Sequence, residues 1–210
     1  MDTVISGNWL TFVVTCFAIE LTPGPNMAYL AVVSVDRGRR AGFAAVFGVA
    51  IGLLVVGFAA ALGLAAIISN ARWLYEALRW GGVIYLLWLA WEGWQGQENS
   101  PGKADLAALD SKFFFRGLIT NLLNPKAGLF YIAILPTFAD ESRGLFGQTI
   151  MLSVVYVAIA TLVHCAIVLL GDAARPWLDN PRRSSIIRRL FSILLVVIAV
   201  WLFLSTRHLA

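Results

Sequence analysis

Long apolar runs dominate this chain, and two of them are broken by proline at matched places. A bilayer-spanning helix needs roughly 20 mostly apolar residues. Lipid offers no partner to backbone N–H and C=O groups, so runs of this length imply helices. Six runs can be read: about Trp9 to Val35, Ala41 to Ile68, Trp73 to Trp94, Phe113 to Phe138, Leu145 to Gly171, and Ile186 to Leu204. Only 13% of the residues are charged, and they cluster between the runs; a soluble domain would carry about a quarter. The expected fold class is an all-α polytopic membrane protein of about six transmembrane helices, a single transmembrane domain over residues 1–210. Residues 1–8 lack Lys and Arg, and the first run leads into Thr-Pro-Gly-Pro instead of a small-x-small cleavage site, so this span is expected to be retained.

The basic residues set an orientation. Arg37, Arg39 and Arg40 fall in the first connection, Lys103, Lys112 and Arg116 in the third, and Arg175, Arg182, Arg183, Arg188 and Arg189 in the fifth. The opposite side holds Arg72, Arg143 and Arg207. By the positive-inside rule the odd connections face the cytoplasm and both termini face outward. The net charge of +4 is therefore read as membrane orientation, not nucleic-acid binding.

Folding the sequence at its longest polar connection aligns its two halves. Repeat one covers about residues 8–94, repeat two about 113–207, and a cytoplasmic linker about 95–112 joins them. Each half has one broken span followed by two unbroken ones, so first and fourth helices are both interrupted. Three spans per half is odd, which makes the halves enter the membrane in opposite senses. Paired interruptions of this kind point to a midplane binding site between inverted repeats.

The chemistry is concentrated at the breaks. Pro23 and Pro25, with Gly24 between them, oppose a continuous helix because proline lacks the N–H and clashes with the preceding turn. Thr22 and Asn26 are candidates for capping or lining that break. In the second half, Asn124 fits an N-cap, Pro125 the first helical position, and Lys126 the first turn. A cation at a helix N-terminus opposes the helix dipole, and membrane depth adds further cost. Lys126 therefore needs an anionic partner, either Glu20 or a ligand carboxylate. Two half-helix N-termini with a lysine would bind a carboxylate; Glu20 would receive an ammonium group or carry a coupling proton. A structural Glu20–Lys126 ion pair and a snorkelling Lys126 remain alternative readings. The candidate pathway comprises Glu20, Thr22, Pro23, Gly24, Pro25, Asn26, Asn121, Asn124, Pro125 and Lys126.

Other polar residues in the spans invite plainer readings. His164 can relay protons or simply pack with a hydrogen bond. Gly42, Gly48 and Gly52 follow the small-residue spacing of close helix packing. Cys16 and Cys165 lie inside apolar runs as packing residues. The scattered Cys and His lack metal-ligand spacing, so no metal or cofactor is expected.

At these motifs the sequence resembles the LysE/RhtB family of bacterial amino-acid exporters. The matching segments are Thr22-Pro23-Gly24-Pro25-Asn26, then Gly38-Arg39-Arg40-Ala41-Gly42 continuing through Gly48 and Gly52, and Gly63-Leu64. The second half supplies Gly117-Leu118, Asn121-Leu122-Leu123-Asn124-Pro125-Lys126-Ala127 and Leu135-Pro136-x-Phe138. Gly81-Gly82 departs from the single Gly followed by Ala that the family often shows. The resemblance implies a secondary active transporter of the bacterial inner membrane. It would export amino acids or close derivatives by alternating access, driven by the proton motive force, with protons as coupling ion and lipid as surroundings. The sequence leaves a homo-oligomer open.

Export of another small amine or a cation is the alternative within transport, and a membrane-embedded enzyme the alternative outside it. The spans supply no nucleophile–base pair for an enzyme. The orientation is testable directly: an alkaline phosphatase fusion at the C-terminus is expected to be active, whereas an inactive fusion places that end in the cytoplasm.

Overall fold

Proline decides where several helices of this chain begin. The computed structural model describes residues 9–63, 72–95, 106–140, 144–175 and 181–205, and these are helical throughout apart from short connections. In order they form α1 (Trp9–Leu21), α2 (Pro25–Arg37), α3 (Arg39–Ala61), α4 (Arg72–Gln95), α5 (Leu106–Leu122), α6 (Pro125–Leu129), α7 (Leu145–Ala174) and α8 (Pro181–Ser205). The short α6 continues as a π-helical turn, Phe130–Ile134, and a 3-10 turn, Leu135–Phe138. Pro25, Pro125 and Pro181 each open a helix, where the missing N–H costs no hydrogen bond.

The two expected breaks are present. The first span divides into α1 and α2, of 13 residues each, so each half is about 20 Å long. The fourth divides at Leu123–Asn124, and its two parts meet at 50°. Among the described residues α3 and α7 are each long and apolar enough to cross a membrane alone; the bent pair Asp110–Leu122 and Pro125–Phe138 qualifies if taken as one span. Shorter apolar helices cover Trp9–Leu21 and Ser192–Trp201.

Three boundaries differ from expectation. The second span closes at Ala61, followed by a turn with Gly63 at φ 79°; Leu64–Ile68 lie outside the described residues. α5 begins at Leu106, so the end of the segment read as linker is helical. α8 likewise begins at Pro181 instead of Ile186. Charged residues separate these starts from the apolar runs, Asp110 and Lys112 on α5 and Arg182 and Arg183 on α8, and apolar counting places a helix start only after them.

α3 packs most closely along α5 and also along α7, while α4 packs on α8. Two apolar clusters result. One joins Leu30 of α2, Ala45 of α3, Leu86 of α4, Phe113 of α5, Val168 of α7 and Leu195 of α8. The other joins Phe12 and Cys16 of α1, Leu53 of α3, Phe130 beyond α6, and Leu152 and Tyr156 of α7. The two breaks fall between them: α1 and α6 belong to one cluster, α2 and α5 to the other. α3 and α7 run through both in opposite directions, and this antiparallel framework holds the broken helices.

The glycine stripe is a packing surface. A Cβ on Gly48 would strike the Phe114 carbonyl oxygen on α5, one on Gly52 would meet Asn121 Nδ2 at 2.8 Å, and one on Gly42 would meet Val168 of α7 at 2.6 Å. Polar groups from the odd-numbered connections meet at one end of the bundle. The Asp172 carboxylate accepts from the Arg39 N–H at 3.0 Å at the start of α3; negative charge there suits the helix dipole. Arg40 pairs with Asp110 at 2.8 Å, and Arg116 with Glu92 at 2.7 Å.

Gly48→Ala is expected to destabilise the bundle by about 1–3 kcal/mol through overpacking, read as a lower Tm in detergent. Gly147→Ala on α7, where a Cβ meets nothing within 4 Å, is the matched control and is expected to leave Tm unchanged or raised.

Candidate functional site

Breaking a helix frees backbone groups, and the two breaks partly satisfy each other. At the end of α1, Thr22 N–H donates to the Ile19 carbonyl at 3.1 Å, and its hydroxyl donates back to the Ala18 carbonyl at 2.9 Å. The Thr22 carbonyl accepts from Lys126 Nζ at 2.7 Å. The ammonium thus reaches from the first turn of α6 across to the C-terminal end of α1, where helix carbonyls carry negative partial charge. Its path is open because Gly24 lacks a side chain: a Cβ there would lie 3.3 Å from Lys126 Cδ.

The expected partner of Lys126 is Glu20 or a ligand carboxylate; its hydrogen bond goes to a freed carbonyl of the other half, while Glu20 acts on it by charge alone. Glu20 Oε1 accepts from Tyr156 OH at 2.6 Å. Its Oε2 lies 3.2 Å from His164 Nε2, within ion-pair distance but not aligned for a straight hydrogen bond. Glu20 is 4% exposed and His164 1%. Tyr156, Ala160 and His164 lie four residues apart along α7, one stripe of the helix.

Asn124 caps α6 as expected: its Oδ1 accepts from the Lys126 N–H at 3.1 Å. The first break is different. Gly24, in extended conformation, is the N-cap of α2 and supplies no side-chain bond, and Thr22 does not cap because its hydroxyl turns back into α1. Asn26 reaches across to α5 instead, its Nδ2 donating to Asn121 Oδ1 at 2.9 Å. Both amides are buried, and Asn26 Oδ1 and Asn121 Nδ2 have no protein partner among the described residues.

A cavity of about 10 Å³ lies at this junction, lined by Glu20, Gly24, Asn26, Asn124, Lys126, Tyr156 and His164 among others. That is room for one water molecule. Five residues expected in the pathway therefore line one cavity. Asn121 joins it through Asn26, and Thr22 contributes only its carbonyl. Pro23 is exposed, while Pro25 and Pro125 shape the helix starts. Tyr156 was not anticipated; the signal was its spacing from His164 in an otherwise apolar span. Among the described residues no three His, Cys, Asp or Glu are grouped to hold a metal ion.

Comparison with known proteins adds independent information. The family model described as LysE type translocator matches residues 17–206. The chain is 25% identical over 205 residues to the homoserine/homoserine lactone efflux protein of Salmonella typhimurium, covering 95% of this chain and 97% of that protein. It is 31% identical over 168 residues to the leucine efflux protein of Enterobacter sp. (strain 638), covering 79% and 80% respectively. The leucine efflux protein of Klebsiella pneumoniae is 30% identical over 168 residues, covering 79% of each chain. No solved structure matches the chain.

The cap is open to a direct test. Asn124→Ala should lower stability by about 0.5–2 kcal/mol, the usual cost of a lost N-cap, measured by thermal unfolding in detergent. Asn124→Ser should recover most of that loss.

Proposed function

This chain belongs to the LysE type translocator family, and from that membership we propose that it exports amino acids or close derivatives from the cytoplasm by proton-coupled alternating access. Members of the family are transporters rather than enzymes, and the chain is an integral membrane protein. Its relatives are named for efflux of homoserine, homoserine lactone and leucine, which supports an amino acid as the substrate here.

The observation that carries the proposal is the meeting of the two breaks around opposite charges. Lys126, held by the Thr22 carbonyl at 2.7 Å, is the group that would exchange this neutral acceptor for a substrate carboxylate. A charge-assisted hydrogen bond to carboxylate is stronger than one to a neutral carbonyl. The N-terminus of α2, whose cap provides no side-chain acceptor, adds N–H groups and dipole for the same anion. Glu20, on the same cavity, would receive the ammonium group. This pairing favours a zwitterion over a simple amine or cation, for which Lys126 would be repulsive.

The size of the cavity supports alternating access. An amino acid does not fit a cavity of about 10 Å³, so binding requires the junction to open. The division into two apolar clusters supports an inverted repeat, because α1 and α6 share one cluster and α2 and α5 the other. Gathering of Arg40, Asp110, Arg116 and Glu92 at one end supports the odd connections sharing a face, which the positive-inside rule makes cytoplasmic. Both termini then face outward.

Uptake into inverted membrane vesicles, against an amino-acid panel with and without a pH gradient, tests this reading. At least one amino acid is expected to accumulate, faster with the gradient. Lys126→Ala and Glu20→Gln should each lower that uptake about tenfold or more, the loss of one charged hydrogen bond of about 1.5–3 kcal/mol, with membrane insertion retained. Uptake of every amino acid at control rates would sink the export reading, and normal transport by both variants would move the site elsewhere.

A further inference from the structure

Export coupled to protons requires a group that holds the proton when substrate is absent, and the sequence offers Glu20 and His164 for it without choosing between them. Resting on the export reading, we propose that His164 takes up the coupling proton, that its imidazolium and the substrate ammonium neutralise Glu20 in turn, and that Tyr156 is the positioning residue for that carboxylate.

The argument starts from burial. Glu20 is 4% exposed and His164 1%, so a bare carboxylate there lacks water to solvate it and costs several kcal/mol unless a cation compensates. Besides Lys126, which acts on it by charge while bonded to Thr22, two cations can approach it. One is His164, its Nε2 3.2 Å from Oε2; the other is a ligand ammonium entering the cavity that both residues line. The ring nitrogen facing Oε2 has no aligned hydrogen bond, which leaves it free to gain or lose a proton without breaking a fixed network. Tyr156 donates to the other oxygen at 2.6 Å, and its ring stacks on Phe130 with centroids 3.6 Å apart. That stacking holds the hydroxyl, and so the carboxylate, in place beside His164.

The remaining titratable groups around Glu20 do not serve this purpose. Lys126 acts on it from α6 but is committed to the Thr22 carbonyl. Cys16 on α1 and Tyr131 beyond α6 also feel the Glu20 charge, yet neither becomes a cation. Tyr131 OH donates to the Leu53 carbonyl at 2.9 Å.

The exchange balances in charge and protons. Substrate arriving from the cytoplasm brings one ammonium charge to Glu20, and His164 releases one proton to that side. When substrate leaves outward, one proton from outside adds to the Nε2 lone pair. The carboxylate is compensated by one positive charge in each half-cycle, and one proton enters per zwitterion exported.

The test uses full-length protein in proteoliposomes with the amino-acid panel and homoserine, comparing efflux under an imposed pH gradient with counterflow exchange at equal pH. For the wild type the gradient is expected to accelerate efflux about tenfold, within the usual range of coupling between two ligands. His164→Gln is expected to lose the acceleration in whatever efflux it retains, an outcome that a merely structural histidine would not produce. Acceleration of His164→Gln equal to the wild type overturns the assignment while leaving proton-coupled export standing. A wild type that transports nothing, or that ignores the gradient, overturns the export reading and this assignment together. Should His164→Gln lack exchange altogether, proton release by the wild type decides the matter. In weakly buffered detergent solution, about one proton per bound substrate is expected, and none would overturn the assignment.

Discussion

The hydrogen bond from Lys126 to the Thr22 carbonyl is the interaction on which the centre of this protein depends. It joins a cation at the start of one half-helix to a freed acceptor at the end of another. Each group is costly alone at membrane depth, the first as an unpaired charge and the second as an unpaired carbonyl. Together they close a break in one half of the chain with a residue from the other half. The bond also fixes what lies nearby: Gly24 must stay small to let the lysine pass, and Asn124 must hold the turn that projects it.

Much of this architecture could be read in the sequence, because backbone rules act locally. Pro25 and Pro125 mark helix starts through the missing N–H, and Asn124 marks a cap through its short side chain. Gly48 and Gly52 mark the face where α3 meets α5, since only a missing Cβ permits that approach. The partner of Lys126 could not be read in this way. Glu20 was the obvious anion by charge, but charge alone does not reveal that Tyr156 donates to one of its oxygens and that His164 lies against the other. Such preferences are settled by how α1 and α7 cross, a long-range fact with no local signature. The role of Thr22 failed for a related reason: its hydroxyl satisfies a carbonyl of the helix it ends, so it cannot also cap the helix that follows.

The boundaries show the same division. Hydrophobic counting found the parts of α5 and α8 that match lipid and missed the turns before them, which charged residues set apart. Those turns extend past the apolar runs, and on α5 they carry Asp110, which pairs with Arg40. Polar helix ends therefore do more than exit the membrane. They tie the starts of α3 and α5 together at the end where the odd connections gather.

The buried amides raise a final physical point. Asn26 and Asn121 share one hydrogen bond between the halves and leave a carbonyl and an amine without protein partners. Orphaned buried polar atoms cost about 1–3 kcal/mol each, so this junction is held at a higher energy than its apolar surroundings. Tyr29 OH, in the cluster around α2, is likewise buried without a hydrogen-bond partner among the described residues. Under the proposed alternating access, the unmet amide groups lower the cost of opening the seam. In the proposed site a substrate that enters there would supply a carboxylate to Lys126, an ammonium to Glu20, and polar atoms to the amides. Binding and opening then draw on the same unmet hydrogen bonds, so a well-satisfied seam would hold the bundle shut more firmly and weaken its hold on the ligand.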